Sequence, residues 1–555
     1  MSCRFRRLFV VSDLHMGGPG DFKMFSQGQL LGEFIDWIAA TTSDTDDPTA
    51  LVLNGDSVDF LAETTSDGDY LNPDLALARL QRIVQDPAFS QVWAALRGLM
   101  AKRNCRLVLV LGNHDLELAL PEVREWLSDF LTDNDPAAAG RILFHLDGAG
   151  FACRVGGQRV LCVHGNEEDT WNLVDHFQLV RLCRTLNRNS PTAPWRPNAG
   201  TRMVVDVMNP IKRRWPFVDL LKPESRAALP AVAILDPGIT LKHMTELDDI
   251  ALTMQADQVK HAMGFLKVPP GEMPREQPVP APSRKPEEVV LEFLGREFGW
   301  SPSRSGDAAL EQQLTEAYLR AQTEPEDAWR RGTGAAEAMG GTARLGVLDD
   351  AVQWGRDMID KVTDSFGKLV QQKQEAMLFQ ALNKLAQEQI FDLEAKDDFL
   401  DMYGRSVQGP LAFVIAGHTH LHRAINGRSR FAAGMQGGCC FFNTGTWADL
   451  IELPREWREN EPVFHRVFEA LQAGTKKDLE TLKGLPAPVY PPDARRGAEY
   501  GERRQGLILR RPTVAVVALE GAPGSEQVVG RLAMVDVNGA GLCQPLYTKT
   551  LRRLS

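Results

Sequence analysis

The sequence lacks any apolar run that approaches the roughly 20 residues needed to cross a bilayer, which argues against a transmembrane segment. Its N-terminal apolar run is too short for the hydrophobic region of a signal peptide, and we expect it to be the first core strand. The eight cysteines contain no C-x-x-C pair, which argues against a structural zinc-thiolate site. We therefore expect a reduced, cytoplasmic chain in which the adjacent Cys439 and Cys440 form no disulfide.

Positive charge is also scarce, because 62 Lys and Arg residues stand against 73 Asp and Glu residues, which leaves a net charge of −11. This balance provides no general attraction to nucleic acid or to anionic membranes. The 555 residues exceed one typical domain, and the hydrophobic fraction of 43% and charged fraction of 24% are ordinary for globular proteins. The composition agrees with a large soluble enzyme.

Five short polar motifs each follow an apolar, β-branched run of the chain. They are Asp13-Leu14-His15, Gly55-Asp56, Gly112-Asn113-His114-Asp115, His164-Gly165 and Gly417-His418-Thr419-His420. Such runs predict buried strands, so the polar residues stand at strand ends. Strand ends that converge at one edge of a sheet would present oxygen and imidazole ligands to a shared point.

These residue types are suited to a pair of divalent metal ions. Carboxylate, amide and imidazole ligands without thiolate suit Mn, Fe, Zn or Ni, and we favour Mn. Two ions a few ångströms apart need a carboxylate that can bridge them. A satisfied core histidine is the alternative for any single imidazole, but five of the chain's 11 histidines fall inside the five motifs.

The order D-x-H, GD, GNHD, H-G and GHTH resembles that of the calcineurin-like metallophosphoesterases. The resemblance implies an α/β fold, a four-layer αββα sandwich, and hydrolysis of a phosphate ester by hydroxide that two metals activate. It also implies that Asp13, His15 and His420 hold the first metal, that Asn113, His164 and His418 hold the second, and that Asp56 bridges the two metals. It implies further that His114 assists the leaving oxygen and that Asp115 orients the His114 ring.

The chain order predicts a catalytic core interrupted by an insertion. Residues 1–170 and 409–555 read as the two parts of the core, and residues 171–408 as a mainly helical insertion or lid. Within the core we predict one long helical stretch over 73–103, a hairpin turning at Gly156-Gly157, a polar surface excursion over 455–510 and two final strands. We expect His422 to be a surface residue, whereas residues 167–176 either line the mouth of the pocket or begin a helix.

The insertion carries three features whose roles stay open. Residues 178–226 contain ten Lys or Arg against three Asp or Glu, which indicates either a surface that attracts anions or a solvated helical face. Residues 268–286 contain seven prolines and read as an extended linker. From Leu348 to Leu369 an apolar seam predicts packing within the chain, a dimer or peripheral membrane contact.

The motif variants narrow the substrate only a little. Phe60 stands where protein phosphatases of this superfamily carry a phosphate-binding Arg, which argues against a protein phosphatase, and a nucleic-acid substrate is not favoured. The SDLH motif, Asp59 and the position of the insertion resemble UDP-diacylglucosamine pyrophosphatases, although the insertion is larger and Asn166 follows H-G. We slightly favour a phosphodiester or a nucleotide- or lipid-type pyrophosphate. A phosphomonoesterase on a small metabolite and a metal-bound regulatory protein are the alternatives, and the oligomeric state is open.

Overall fold

The computed structural model describes residues 3–18, 23–43, 48–64, 70–169, 171–213, 215–221, 392–395, 397, 400, 411–427, 438–490 and 495–554. All of these residues belong to one compact unit. The proline-rich segment 268–286, the apolar seam from Leu348 to Leu369, and Arg214 within the basic segment lie outside the described residues. The predicted domain boundaries and the lid therefore stay predictions.

The described strands and helices alternate over the first part of the chain. The strands are β1 (Cys3–Phe5), β2 (Arg7–Val11), β3 (Thr49–Asn54), β4 (Cys105–Val110), β5 (Ile142–His145), β6 (Phe151–Val155), β7 (Gln158–Cys162), β8 (Phe413–Ala416), β9 (His422–Asn426), β10 (Cys440–Thr444), β11 (Leu450–Ile451), β12 (Arg503–Gln505), β13 (Ile508–Arg510), β14 (Thr513–Glu520), β15 (Gln527–Met534) and β16 (Tyr547–Arg552). The helices are α1 (Gly28–Thr41), α2 (Pro73–Gln85), α3 (Ser90–Ala101), α4 (Pro121–Thr132), α5 (Pro136–Ala139), α6 (His176–Asn187), α7 (Ala199–Arg202), α8 (Asn209–Lys212), α9 (Arg455–Arg458), α10 (Glu461–Ala473) and α11 (Lys476–Thr481), with a π-helical segment, Met203–Met208, between α7 and α8.

The first sheet has the strand order β16-β15-β14-β2-β3-β4-β5, and its strands β2 to β5 run parallel. Side chains alternate between its two faces, because successive residues of a strand point to opposite sides. Phe9 and Val11 pack among the helices, whereas Leu8 and Val10 pack toward the second sheet. Both faces are therefore buried, which explains why these strands read as unbroken apolar runs.

The second sheet has the order β1-β6-β7-β8-β10-β9, with β7, β8 and β10 parallel to one another. Phe413 and Ile415 join the apolar core that the two sheets share. Val414 and Ala416, on the opposite face, are also buried. Because Phe413 and Ile415 share an apolar core with the first sheet, the two sheets stack face to face.

Helices α1, α3 and α4 cover the outer face of the first sheet. Their buried residues, such as Phe34, Leu96 and Leu127, form one cluster with Phe9 and Leu107 of the sheet. The chain is an α/β sandwich, as the sequence predicted. The fourth layer of the predicted αββα arrangement stays a prediction.

The predicted hairpin is confirmed. Strands β6 and β7 pair antiparallel, with Val155 opposite Gln158. Gly156 and Gly157 join them with φ values of 51° and 79°. Two consecutive positive φ angles are what a two-residue type I′ turn requires, and glycine adopts them without steric cost.

The single helix predicted over residues 73–103 is wrong, because the chain breaks it into α2 and α3. Asn72 caps α2 by accepting a hydrogen bond from the Asp74 amide at 2.9 Å, and Pro73 takes the first helical position. The helix ends before Asp86, whose ψ of 124° is extended. Asp86 precedes Pro87, and a residue before proline is disfavoured in helical conformation.

The polar excursion predicted over residues 455–510 is also wrong. The described part of this stretch contains α9, α10, α11, β12 and β13. In α10, the residues Val463, Phe464, Val467 and Phe468 are buried at helical spacing. Asn460 caps the helix and Gly474 ends it with a φ of 71°, so start and stop signals were present among the polar residues.

Strand β9 was not predicted, and the expectation that His422 lies at the surface is wrong. His422 is 7% exposed and pairs with Thr444 of β10. Burial, together with the nearby Arg511 and Arg423, holds the pKa of His422 well below its usual value. The two predicted final strands are confirmed as β14 and β15, and β16 follows them.

All eight cysteines lie in the described part of the chain and are free thiols. Cys439 and Cys440 are both buried, and burial raises the pKa of each thiol to about 12. None of the described helices combines the length and apolar character needed to pass through a bilayer.

Candidate metal centre

The five motifs follow strands that end at one edge of the sandwich. Asp13, Asp56 and Asn113 come after β2, β3 and β4, which are adjacent parallel strands of the first sheet. His164 and His418 come after β7 and β8, which are adjacent parallel strands of the second sheet. Parallel strands end at the same edge, so the fold brings together residues more than 400 positions apart.

Hydrogen bonds tie the motif loops to one another across the two sheets. The His418 amide donates to both carboxylate oxygens of Asp13, at 3.1 and 3.0 Å. The His114 amide donates to Asp56 Oδ1 at 2.9 Å. The Asn54 side chain reaches from the first sheet to the carbonyl of Val163 in the second, at 2.7 Å. These bonds hold the carboxylates in position before any ligand arrives.

The backbone is strained where the candidate ligands sit. Ten described non-glycine residues have positive φ, and five of them are Asp13, His15, Asp56, His418 and His420. This conformation is uncommon for residues with a Cβ and costs on the order of 1–3 kcal/mol each. Strain concentrated in one cluster is typical of a functional site, where the geometry of side chains matters more than local stability.

The first group of ligand atoms belongs to Asp13, His15 and His420, which lie within 4.8 Å of one another. The Nε2 atoms of His15 and His420 are 3.0 Å apart, and His420 Nε2 is 3.4 Å from Asp13 Oδ1. Ligand atoms about 2.1 Å from one metal and at right angles to each other lie about 3.0 Å apart. The spacing therefore suits a single metal ion.

The second group consists of Asp56, His164 and His418, again within 4.8 Å. His164 Nε2 is 3.2 Å from Asp56 Oδ2. Asp56 also belongs to a third group, with His15 and His114, and its Oδ2 lies 3.8 Å from His15 Nε2. Asp56 thus stands between the two candidate metal positions, where a bridging carboxylate is required.

Four of the five motif histidines, His15, His114, His164 and His418, have one ring nitrogen hydrogen-bonded to a group outside the candidate ligand set. His164 Nδ1 lies 2.9 Å from the Asn54 carbonyl, and since a carbonyl only accepts, Nδ1 is the donor and Nε2 faces Asp56. The Asp59 carboxylate accepts hydrogen bonds from the Nδ1 atoms of His15 and His114, both at 3.1 Å. One carboxylate therefore orients two imidazoles, a common arrangement around metal-binding histidines.

Asp115 is not the ring partner of His114, contrary to the prediction. Its Oδ2 accepts from the Ser57 amide at 2.8 Å, and its Oδ1 accepts from the Gly112 amide at 2.7 Å. Asp115 therefore holds the loop after β3 against the loop after β4. Burial and the nearby Asp56 raise the pKa of this carboxyl to about 7.

The buried carboxylates and imidazoles of the cluster shift one another's pKa values. Burial alone would raise the carboxyl pKa values, but the surrounding histidines hold the pKa of Asp56 and that of Asp59 well below the usual range. Burial would lower the histidine pKa values, but the carboxylates raise the pKa of His114 to about 9 and that of His164 to about 10. A divalent cation that entered such a cluster would replace the imidazole protons as the partner of the carboxylates.

The residues fit a pair of divalent cations. The donors are carboxylates and imidazoles without thiolate, which suits borderline or hard divalent metals. Asn113 Oδ1 is buried and has no hydrogen-bond partner among the described residues, although a buried carbonyl oxygen normally has one. This oxygen could coordinate a metal ion bound beside His164.

Comparison with known families supports the same interpretation. Residues 6–219 match the calcineurin-like phosphoesterase family. The match covers less than half of the chain and includes four of the five motifs. The fifth, Gly417–His420, lies outside the matched residues, yet the structure brings its two histidines into the same cluster. No curated protein matches the chain, so the resemblance to UDP-diacylglucosamine pyrophosphatases stays a prediction.

Sequence reasoning left the roles of two nearby residues unassigned. Asp169 Oδ2 lies 2.9 Å from His418 Nε2, and Asn172 Oδ1 accepts from Asn113 Nδ2 at 3.2 Å. Asp169 was among residues expected either at the pocket mouth or at a helix start. His176 begins α6, which agrees with the alternative of a helix start. No spacing rule connects a residue after His164 with one that comes 249 positions later, so only the fold could show the first contact.

Proposed function

We propose that this protein hydrolyses a phosphate ester with two divalent metal ions bound in the cluster around Asp56. The observation that supports the proposal most strongly is that Asp56 belongs both to a group with His164 and His418 and to a group with His15, each with ligand atoms within 4.8 Å. Asp13, His15 and His420 would hold one ion, and Asn113, His164 and His418 the other, with Asp56 shared. When bound, two such ions lower the pKa of water and neutralise charge on the phosphoryl group.

We propose that His114 serves as the general acid. Asp59 holds its Nδ1, which leaves Nε2 to donate a proton to the departing oxygen. The His114 side chain is 15% exposed, against 2% for His15 and 0% for His164, so a substrate can reach it. The geometry also groups His114 with His15 and Asp56, so a ligand role is the alternative to be tested.

We propose a phosphodiester or a pyrophosphate of nucleotide or lipid type as the substrate, with Mn²⁺ as the favoured metal. The phosphoryl group of a phosphomonoester carries more negative charge than that of a phosphodiester, and a positively charged side chain usually binds it. Phe60, fully buried, occupies the position of the arginine that does this in related protein phosphatases. The exposed Arg181 and Arg184 on α6 would attract an anionic substrate from solution.

The test compares hydrolysis of a chromogenic phosphodiester and its phosphomonoester, with Mn²⁺, for the wild type and Asp56→Asn. Diester turnover that the substitution abolishes supports the proposal. Asp133→Asn is the matched control, because its side chain is 76% exposed and contacts only Arg97 among the ion pairs of the described residues. Equal turnover in Asp56→Asn with metal still bound would contradict the mechanism.

Other outcomes separate the alternatives. A preference for the monoester would redirect the proposal to small phosphorylated metabolites. Two bound metals without turnover of either substrate would favour a regulatory protein. His114→Ala should retain both metals and lose rate, whereas loss of a metal would show that His114 is a ligand.

A further inference from the structure

Two residues that follow His164 connect candidate ligands from different strand ends. Asp169 Oδ2 lies 2.9 Å from His418 Nε2 and accepts from Asn172 Nδ2 at 2.7 Å. Asn172 Oδ1 in turn accepts from Asn113 Nδ2 at 3.2 Å. A continuous chain of hydrogen bonds therefore runs from His418, after β8, to Asn113, after β4.

Asp169 and Asn172 make further hydrogen bonds with described residues near them in the chain. Asp169 Oδ1 accepts from the Trp171 amide at 2.9 Å, and the Asn172 amide donates to the Asp169 carbonyl at 3.0 Å. The Asn166 side chain donates to the Asn172 carbonyl at 3.1 Å. A Cβ on Gly200 would lie 1.9 Å from Asn172 Oδ1, so only glycine fits there. Asp169 and Asn172 thus have little freedom to move.

The direction of each hydrogen bond decides which atoms remain for a metal. A carboxylate only accepts, so His418 Nε2 is the donor and its Nδ1 is left for the cluster with Asp56. The Asn113 amide nitrogen donates to Asn172, and the buried Asn113 Oδ1 has no hydrogen-bond partner among the described residues. Both ligands of the second group are therefore presented through the correct atom.

We propose that Asp169 and Asn172 form a clamp that positions His418 and Asn113 for the second metal ion. The clamp rests on the proposed two-metal function. It makes Asp169 and Asn172 positioning residues, since each acts through the candidate ligand to which it is hydrogen-bonded. Carboxylate partners of metal-binding histidines contribute in this way, and their loss typically weakens metal affinity about 10- to 100-fold.

The experiment is a Mn²⁺ titration followed by calorimetry and by electron paramagnetic resonance, for the wild type, Asp169→Asn and Asn172→Ala. The wild type is expected to bind two ions and to show the signal of a coupled Mn²⁺ pair. In both variants the first ion should bind normally and the second about 10- to 100-fold more weakly, so the coupled signal is lost at two equivalents. Saturating Mn²⁺ should restore the coupled signal, which would not happen if the fold were damaged.

Asp175→Asn is the matched control, because it makes the same change six residues away at an exposed helix cap. Asparagine caps a helix as well as aspartate does, so its titration should equal that of the wild type. If Asp169→Asn and Asn172→Ala bind the second ion as tightly as the wild type, the clamp is refuted and the two-metal proposal stands. If the wild type itself binds fewer than two ions, both are refuted.

Discussion

Gly417 is a residue at which a single added methyl group should disturb the centre. A Cβ at this position would lie 2.3 Å from Ser12 Oγ and 2.4 Å from Asp13 Oδ2, whereas ordinary contacts begin at 3.4 Å. In Gly417→Ala, the Asp13 carboxylate must therefore retreat by about 1 Å, since overpacked groups move before the backbone does. Gly417 does not need positive φ, so the effect comes from contact and not from backbone strain.

The expected cost has two parts. Overpacking of a buried site typically lowers the free energy of unfolding by about 1–3 kcal/mol. A displacement of about 1 Å in a catalytic group typically costs about 100-fold in rate. We therefore expect Gly417→Ala to fold, to bind the first Mn²⁺ ion at least 10-fold more weakly and to lose about 100-fold in kcat on a phosphodiester.

The measurements are Mn²⁺ calorimetry, turnover and the thermal unfolding midpoint. Gly98→Ala provides the control, because its Cβ would meet nothing closer than Asp36 Oδ1 at 3.8 Å, on an exposed face of α3. Alanine should stabilise that helix by up to about 1 kcal/mol. Wild-type Mn²⁺ affinity and turnover in Gly417→Ala would refute the assignment of Asp13 to the centre.

Three further predictions concern other parts of the molecule. Burial would raise the pKa of Glu452, but bidentate contact with an arginine at 2.6 Å lowers it from 4.5 to about 2. Because the pKa of Glu452 is lowered in the folded state, its carboxylate stabilises the fold above pH 4.5, and this stabilisation is lost as pH falls toward 2. Glu452→Gln should therefore lower the free energy of unfolding, measured in urea titrations, by about 3 kcal/mol at pH 7 and by less at lower pH. An equal difference at pH 7 and pH 3 would contradict this. Replacing Arg181 and Arg184 by Gln should raise KM severalfold, weaken its dependence on salt and leave kcat unchanged; an unchanged KM at low salt would remove the substrate-attraction role. Mn²⁺ at 100 times its dissociation constant should stabilise the wild type by about 2.7 kcal/mol, seen as a higher unfolding midpoint, and should stabilise Asp56→Asn much less.

The strand-end rule made much of the centre predictable. Each of the five motifs follows a run of apolar residues, and buried parallel strands have that composition whatever their partners are. Because parallel strands end at one edge, Asp13, Asp56 and His418 could be expected to meet before any contact was known. The structure does bring their ligand atoms into neighbouring groups. Whether they bind metal stays a prediction for the titrations above.

The errors came from signals that depend on context. Helical periodicity continued across Asp86 and Pro87, and the break before a proline received too little weight. Polar residues around α10 obscured an apolar face that was correctly spaced. His422 has no pattern that distinguishes a buried strand residue from a surface one. Its burial depends on pairing with β10 and on packing beside residues from the end of the chain.

The sequence by itself determined the chemical identity of the centre. Carboxylate, amide and imidazole groups at the ends of unbroken apolar, β-branched runs are readable from local composition without a fold. Only the tertiary structure decided which atom each ligand presents. Asp59 orients His15 and His114, and Asp169 occupies one ring nitrogen of His418. These are hydrogen bonds between residues 44 to 249 positions apart, and no local pattern encodes a bond whose partners meet only when the chain folds.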